Sequence, residues 1–365
     1  ATAAAQALAD AGIDYPRVGQ AYAGYAMGDS TCGQSALYRL GFSGAPIFNV
    51  NNYCATGSTA LFLARQAVAS GVTDCALAVG FEQMVPGPIG MTYADREPTL
   101  GLHAALADRV QGQNASAPFA AQYFGGAGRE YAAKWGTQLE TFAMISVKAR
   151  RHAASNPFAI FREPISVEAV LASKPMYGPL TRLQCCPPSC GAAAAVVVSA
   201  SLARKLGVAG VRIRAQAMTT DEPGALDGDS MIGMVGYGMA ARAAEEVYGA
   251  SGLGPDEVDV VELHDCFTAN EILSYEALGL VGPGEAERFV QDGHNTYGGR
   301  IVTNPSGGLL SKGHPLGATG LAQCAELVWQ LRGQAGARQV EGARLALQHN
   351  LGLGGACVVS LYSRD

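Results

Sequence analysis

Four separate segments of the chain contain residues in contexts that favour chemistry, and the first segment contains Cys54. It lies in Asn-Asn-Tyr-Cys-Ala-Thr-Gly, residues 51–57, between a predicted buried strand and a predicted helix. At a helix N-terminus, the helix dipole and the free backbone N–H groups favour a thiolate and bind an oxyanion. We therefore expect Cys54 to have a raised thiolate fraction and to act as a nucleophile. The alternative is a small cysteine that packs beneath the helix.

The second candidate is His314, in the segment Lys-Gly-His-Pro-Leu-Gly-Ala-Thr-Gly of residues 312–320. The glycines allow backbones to approach closely, and Pro315 restricts the chain beside the histidine. A histidine held in this way can act as a base or as a hydrogen-bond donor. A structural histidine in a tight loop is the alternative.

The other candidates follow predicted strands. His264 and Cys266 belong to His-Asp-Cys-Phe, residues 264–267, and ligands gather beyond the carboxyl ends of parallel strands. These two residues are therefore candidates for acid–base catalysis, although an ordinary polar strand end fits the pattern equally well. His-Asn-Leu-Gly-Leu-Gly-Gly, residues 349–355, ends another strand in a turn that can direct backbone N–H groups at a carbonyl oxygen. A plain turn is the alternative there.

No metal site is predicted. Cys185, Cys186 and Cys190 lie close together, but no second pair of Cys or His residues follows at zinc spacing. The nine cysteines are an odd number without a regular framework, which favours free thiols in a reducing compartment. We expect Cys54 and Cys266 to be the working thiols and the other seven cysteines to be packing residues.

The elements that must position these residues alternate between strands and helices. Apolar runs predict strands at 45–50, 75–79, 192–198, 211–215, 256–263 and 345–348, and helices at 58–70 and 321–331. This alternation predicts an α/β fold with a parallel sheet. Residues 85–183 are richer in aromatic residues, Pro, Arg and His and contain no continuous strand, so they are predicted to form a mostly helical insertion.

The two α/β segments resemble each other. Ala-Thr-Gly occurs at 55–57 and again at 318–320, each time before a helix that is followed by a strand. Three shared residues are weak evidence in a chain rich in Ala and Gly, but the shared order of elements favours an internal duplication.

Composition excludes several classes of protein. The chain has 365 residues, which corresponds to two or three packed units. Its net charge of −6 gives no electrostatic footprint for nucleic acid or an anionic membrane surface. No apolar run reaches the roughly 18 residues of a membrane span. We therefore expect neither a nucleic-acid partner nor a membrane association.

Taken together, the four segments resemble the thiolase superfamily, and within it the thiolase part of the sterol carrier protein X type. The resemblance implies the thiolase fold, with five layers αβαβα, two similar halves and an inserted loop domain. The first half would comprise 1–84 and be completed by 184–203. The loop domain would be 85–183, and the second half 204–365.

The resemblance also implies roles for the candidate residues. Cys54 would take the acyl group as a thioester, and His314 would activate it and help to bind a thioester oxygen. His264 stands where most members have an Asn that orders a water in an oxyanion hole. Most members draw a second, acid–base cysteine from a C-terminal Cys-x-Gly motif, but this chain has Asn350 there. In the sterol carrier type Cys266 replaces that missing thiol.

The implied reaction is the CoA-dependent cleavage of a 3-oxoacyl-CoA to acetyl- or propionyl-CoA and a shortened acyl-CoA, in fatty acid or sterol side-chain degradation. The backbone N–H groups of Cys54 and Gly352 would form a second oxyanion hole. Coenzyme A is a co-substrate, no cofactor is bound permanently, and the residues that contact CoA are not predicted. The resemblance further implies a homodimer in the cytoplasm, or in the peroxisome of a eukaryote.

Two other functions remain possible on this fold. An aldolase would cleave sterol side-chain acyl-CoAs with a small partner protein, and a non-catalytic relative would only bind acyl-CoA or lipid. Neither needs all of Cys54, His264, Cys266 and His314, so the complete set favours the thiolase. Thiolases begin with a strand before the first helix, so we expect a further strand upstream of Ala1. The resemblance does not extend to a sterol carrier domain, and lipid transfer is not expected.

Overall fold

The computed structural model describes residues 1–90, 93, 95–112, 116–207 and 210–364. The described α-helices are Thr2–Ala11 (α1), Cys32–Leu37 (α2), Thr56–Ala69 (α3), Gly101–Gln111 (α4), Phe119–Trp135 (α5), Leu139–Ala153 (α6), Val167–Leu171 (α7), Ala200–Leu206 (α8), Met231–Met234 (α9), Tyr237–Ser251 (α10), Thr268–Ala277 (α11), Ala286–Gln291 (α12), Gly308–Ser311 (α13) and Thr319–Arg332 (α14). None of them combines the length and apolar character that crossing a membrane requires.

The described strands are Gln20–Gly24 (β1), Ile47–Val50 (β2), Cys75–Glu82 (β3), Pro175–Tyr177 (β4), Leu180–Thr181 (β5), Gly191–Val198 (β6), Val211–Thr219 (β7), Val260–Glu262 (β8), Val302–Thr303 (β9), Leu345–Gly352 (β10) and Ala356–Arg364 (β11). Strand β1 was not predicted from the sequence. It consists of five residues, two of them Ala and one Gly, and such residues have low strand propensity.

Two sheets carry most of the strands. The first has the order β2-β1-β3-β6, in which β2, β1 and β3 are parallel and β6 is antiparallel. The second has the order β7-β11-β10-β8-β9, in which β10, β8 and β9 are parallel, whereas the pairs β7-β11 and β11-β10 are antiparallel. The predicted parallel sheet is therefore present in both, with antiparallel strands added at one side.

The residues of the strands alternate between apolar clusters, which explains why the strands read as nearly continuous apolar runs. One cluster of buried apolar residues combines both sheets with α3 and α14, so this helix pair lies between the sheets. Its members include Tyr22, Ala76, Ala78, Ala60, Leu61, Ala64, Leu321, Leu327, Val260, Ala346 and Tyr362. The opposite faces of the sheets are covered by α1 and by α10. The result is the five-layer αβαβα arrangement of the thiolase fold.

Glycines allow the two central helices to approach closely at their N-termini. A Cβ on Gly57 would lie 2.8 Å from the carbonyl oxygen of Gly317, and a Cβ on Gly320 would collide with Ser58. Any larger residue would push the helices apart. The loops that precede α3 and α14 are therefore brought together, and these loops carry Cys54 and His314.

The chain between β3 and β6 contributes α4 to α7 and a small β4-β5 hairpin, which was not predicted because its strands have only two or three residues. This segment contacts the second half through backbone groups. The N–H of Ile160 donates to the carbonyl of Lys312, and the N–H of Phe161 donates to that of Ser311. These contacts support the loop that carries His314.

Candidate active site

Cys54 lies in a tight loop between β2 and α3. The N–H of Ala55 donates to the carbonyl of Asn52 (3.0 Å), and the N–H of Thr56 donates to that of Tyr53, whose φ of 48° is rare for a residue with a side chain. Helix α3 begins at Thr56, two residues earlier than predicted, and its N-cap residue is Ala55. The Thr56 hydroxyl does not cap the helix but accepts a hydrogen bond from the Asn52 N–H (2.8 Å). These bonds hold the loop on which Cys54 sits.

His314 is buried, 4% exposed, and its Nδ1 lies 2.7 Å from Thr319 Oγ1. The Thr319 hydroxyl donates its own proton to the carbonyl of Pro315 (3.0 Å), so it accepts from the histidine. Nδ1 therefore carries the ring proton, and Nε2 presents a lone pair. No hydrogen-bond partner satisfies this buried Nε2. It is suited to accept a proton from a neighbouring group.

His264 is also buried, 2% exposed, and lies two residues after the end of β8. The side-chain amide of Asn350, on the neighbouring strand β10, lies with its Nδ2 3.1 Å from His264 Nδ1. With the Asn350 amide in this orientation its NH₂ group can only donate, so Nδ1 is the acceptor and Nε2 carries the proton of the neutral ring. His264 is therefore a hydrogen-bond donor where His314 is an acceptor.

These two rings and the Cys54 thiol meet at one place. One ligand-type atom from each of Cys54, His264 and His314 lies within 4.8 Å of the other two. The ring centroids of the histidines are 5.2 Å apart, and the ring planes are nearly perpendicular, at 83°. The cysteine comes from the first half of the chain and the histidines from the second, so the site exists only where the halves pack together. Within the described residues, no other group of three or more Cys, His, Asp and Glu side chains has spacing suited to a metal ion.

Cys266 is buried close to the same place, together with a thiol that sequence reasoning assigned to packing. The N–H of Cys186 donates to the carbonyl of Cys266 (2.9 Å), and Cys185 pairs with Phe267 in an antiparallel bridge. Burial raises the pKa of the Cys266 thiol well above its usual value, and Cys186, Cys54 and Asp265 add to this effect. Cys266 is therefore held as a neutral thiol. Cys186 belongs to this group of thiols, and nothing in its local sequence revealed the pairing.

Gly352, the other predicted oxyanion-hole residue, ends β10 beside the Cys54 loop. A Cβ on Gly352 would collide with the carbonyl of Asn52, so only glycine fits there. The structure thus places the Gly352 backbone against the loop that holds Cys54. The same strand supplies Asn350, so the turn predicted to bind a carbonyl oxygen also sets the proton position on His264.

Asp265 anchors the segment between His264 and Cys266. Its buried carboxylate accepts hydrogen bonds from the N–H groups of Leu309 (2.7 Å) and Leu310 (3.4 Å). Burial raises the pKa of Asp265 to about 7, and the nearby Glu271 carboxylate adds to this increase. The segment that carries both candidate groups is therefore tied to α13 by its middle residue.

Glu82, at the end of β3, was not identified from the sequence. Its buried carboxylate accepts from the N–H groups of Ala26 (3.0 Å), Met27 (2.9 Å) and Gly317 (3.0 Å). It thus connects a loop of the first half with the glycine-rich loop of His314. A charged residue at the end of an apolar strand was the available signal, but the predicted strand stopped at residue 79.

The electrostatics of Cys54 contradict one expectation. Burial raises the pKa of its thiol to about 12, the Glu82 carboxylate raises it further, and the backbone N–H of Cys54 itself only partly opposes this. Burial also lowers the pKa of His314 to about 3, with a smaller contribution from Lys312. The pKa is raised, so the expected raised thiolate fraction is wrong for the free protein, because burial disfavours the charged thiolate. The resting pair is a neutral thiol beside a neutral imidazole.

Comparison with known proteins identifies the family. The family model "Thiolase, N-terminal domain" matches residues 1–172, and "Thiolase C-terminal domain-like" matches residues 229–362. The chain is 54% identical to human sterol carrier protein 2 over 98% of its own length and 66% of that protein's length, so it spans about two thirds of this relative. It is 44% identical to the non-specific lipid-transfer protein-like 2 of Caenorhabditis elegans, over 98% of this chain and 88% of the relative.

Solved structures agree with this assignment. The Ltp2-ChsH2(DUF35) aldolase matches 99% of this chain and 91% of that chain with a TM-score of 0.83 and 25% identity. Human mitochondrial 3-ketoacyl-CoA thiolase matches 100% of this chain and 91% of that chain with a TM-score of 0.74 and 18% identity, which shows a shared fold. The predicted fold and family are thereby confirmed, and the chain belongs to the thiolase superfamily.

Proposed function

We propose that this chain is a 3-oxoacyl-CoA thiolase that cleaves its substrate with CoA through an acyl-enzyme on Cys54. The observation that carries the proposal is that the Nδ1 atoms of the two histidines beside that cysteine have different hydrogen-bond partners, the Thr319 hydroxyl and the Asn350 amide. His314 presents a bare Nε2 and His264 presents an Nε2–H, as their Nδ1 partners require. Cleavage of a carbon–carbon bond next to a thioester needs both a base and an oxyanion donor.

In the first step His314 Nε2 takes the proton of Cys54, and the sulfur attacks the 3-oxo carbon of the substrate. The two groups are neutral at rest, so proton transfer accompanies the attack. The oxygen of the tetrahedral intermediate becomes negative, and we assign its stabilisation to the backbone N–H groups of Cys54 and Gly352. Collapse of this intermediate breaks the bond between C2 and C3 and leaves the acyl group on Cys54.

The leaving group is the enolate of acetyl-CoA, or of propionyl-CoA for a 2-methyl substrate. His264 Nε2–H and the newly protonated His314 Nε2–H both stabilise its oxygen. Cys266, which its surroundings hold as a neutral thiol, gives its proton to C2. The proton that left Cys54 thus stays on His314, where it stabilises the enolate oxygen. The proton that C2 receives comes from Cys266.

In the second half the proton movements are reversed. The Cys266 thiolate takes the proton of an incoming CoA thiol, and the CoA sulfur attacks the thioester on Cys54. The Cys54 sulfur leaves and recovers its proton from His314. All protein groups return to their starting protonation, so the cycle balances without a permanently bound cofactor.

The test is a thiolysis assay over short, medium, 2-methyl-branched and steroid-side-chain 3-oxoacyl-CoAs, with product analysis. We expect CoA-dependent formation of acetyl- or propionyl-CoA and a covalent acyl adduct on Cys54, detected by mass spectrometry without CoA. A stable adduct on another cysteine would overturn the assignment. The comparison across substrates also decides between fatty acid and sterol side-chain degradation.

The second candidate is an aldolase that releases a ketone without CoA. The structural similarity to the Ltp2-ChsH2(DUF35) aldolase favours it, since that protein carries a partner. Release of a ketone or aldehyde from a 3-hydroxyacyl-CoA without CoA would support the aldolase and exclude the thiolase. Acyl-CoA binding without any turnover would instead support a non-catalytic binding protein.

We also propose a homodimer, in the cytoplasm or in a eukaryotic peroxisome. Strand β2 lies at the edge of its sheet and carries the exposed Phe48, and the exposed Tyr38 and Phe42 precede it in the chain. An unpaired apolar edge is suited to pairing with a second copy. Light scattering of the purified chain tests this, and a monomer at all concentrations would contradict it.

A further inference from the structure

We propose that Cys54, His264 and His314 also form a three-ligand site that captures Zn²⁺ or a chemically similar divalent cation. A cation bound there would block the nucleophile and inhibit turnover. The inhibition rests on the proposed function, whereas the binding does not.

The three donor atoms already lie near the arrangement that such an ion needs. Each is within 4.8 Å of the other two. A tetrahedral Zn²⁺ with bonds of about 2.3 Å to sulfur and about 2.0–2.1 Å to nitrogen places its ligand atoms roughly 3.4–3.6 Å apart. The side chains must therefore close by about 1 Å at the widest pair for such an ion to bind. One Cys and two His are a donor set that Zn²⁺ prefers.

The nitrogen of His314 is an independent indication of a ligand. His314 is 4% exposed, its Nε2 has no hydrogen-bond partner, and Thr319 fixes the ring so that this atom faces the site. A buried acceptor without a partner is destabilising, and a bound cation would satisfy it.

The proton balance of binding is simple. The cation replaces the thiol proton of Cys54, which passes to solvent. Coordination through His264 Nε2 moves the ring proton to Nδ1, where the Asn350 amide must rotate to accept it. The amide oxygen of Asn350 has no partner at present, so it is available for this role. No oxidation or reduction takes place.

Three protein ligands leave the fourth position of a tetrahedral ion open to water. With Cys54 Sγ bound to the ion, its lone pair is no longer free to attack a carbonyl carbon. Inhibition by this route should be fully reversed by a chelator, because no covalent bond to carbon forms.

The test uses the full chain freed of metal and titrated with Cd²⁺, whose bond to a thiolate gives an ultraviolet charge-transfer band. We expect one high-affinity Cd²⁺ per chain, competition by Zn²⁺, and a higher melting temperature with metal bound. The variant C54S should lose more than about 100-fold in affinity. The variants H264N and H314N should each lose at least about 10-fold, since even supporting residues of metal sites contribute that much.

The matched control is C190S, because Cys190 is an exposed free thiol. It should bind Cd²⁺ as the unchanged chain does. Equal affinity in C54S and the unchanged chain, or loss of the site in C190S, would overturn the proposal. If C54S does not fold, the two histidine variants decide alone: unchanged affinity in both would refute the site. An active thiolase without the Cd²⁺ band would refute this inference and leave the proposed function standing.

Discussion

His314 and His264 approach Cys54 from two regions that fix their ring protons in different ways. His314 sits in a glycine-rich loop and is oriented by Thr319, five residues further along, where α14 begins. His264 sits at a strand end and is oriented by Asn350, from a neighbouring strand 86 residues away. The partner of Nδ1 decides whether Nε2 accepts or donates. Two side chains of the same type thus act as an acceptor and as a donor at Nε2, and the proposed reaction needs both.

The largest expected effect comes from removing the group that both histidines face. The variant C54A should lose thiolysis by at least about four orders of magnitude, because covalent catalysis is then impossible. It should also form no acyl adduct. Initial rates and intact-protein mass spectrometry measure both outcomes, with C190A as the control. Residual turnover with a normal adduct would contradict the role of Cys54.

The pH dependence of Cys54 alkylation tests whether the resting pair is neutral. The thiol pKa is about 12, so at any pH well below 12 an increase of one pH unit raises the thiolate fraction tenfold. The rate of reaction with iodoacetamide, followed by peptide mass spectrometry, should therefore rise about 1000-fold between about pH 7 and pH 10. A rate that is already constant at neutral pH would instead indicate a thiolate–imidazolium pair.

The variant N350D should turn His264 Nε2 from a hydrogen-bond donor into an acceptor, which is the role of His314 Nε2. A carboxylate accepts the ring proton at Nδ1, so Nε2 loses its hydrogen and faces the thioester oxygen with a lone pair. Loss of one oxyanion donor lowers kcat by about 100-fold to 1000-fold. Steady-state kinetics should show a fall in kcat with little change in KM. Equal losses in N350D and N350A would show that the amide only fills space.

The variant T319V removes the acceptor that orients His314 while keeping the side-chain shape. In the protonated ring this hydrogen bond is charge-assisted and contributes about 1.5–3 kcal/mol. We therefore expect a loss of roughly 10-fold to 150-fold in kcat. T319S, which restores the hydroxyl, should recover most of the activity. No recovery would assign the loss to packing instead.

The smallest effect concerns Glu82, which contacts neither ring. In E82Q the amide cannot accept all three backbone N–H groups, so the free energy of unfolding should fall by about 1–3 kcal/mol. Loss of the negative charge should lower the Cys54 pKa and make alkylation a few-fold faster at one pH. Denaturant unfolding and the alkylation rate measure the two effects. If the alkylation rate of Cys54 stays unchanged while the free energy of unfolding falls, the role of Glu82 is only structural.

Much of the architecture is readable from the sequence because it depends on local patterns. The strands β2, β3, β6 and β10 and the helices α3 and α14 are apolar runs bounded by polar or glycine-rich segments. The candidate residues Cys54, His264, Cys266 and His314 stand in short motifs whose order identifies the family. Their catalytic roles stay predictions.

Other features of the site could not be predicted, because they depend on contacts between distant segments. Glu82 lies 235 residues from Gly317, whose N–H it accepts, and Cys186 is placed beside Cys266 by a backbone pairing. Strand β1 was missed because its small residues have little preference for a strand. The pKa of Cys54 was expected in the wrong direction, since the helix N-terminus is visible in the sequence but burial is not.

The sequence by itself therefore determined the family, the fold class and the residue types available for chemistry, since motifs and apolar periodicity are local properties of a chain. Only the tertiary structure decided which nitrogen of each histidine carries the proton and how strongly Cys54 is desolvated. Both depend on packing, because the partners of the rings and the groups that exclude water come from both halves of the molecule. Proton positions in a buried site are set by its neighbours in space.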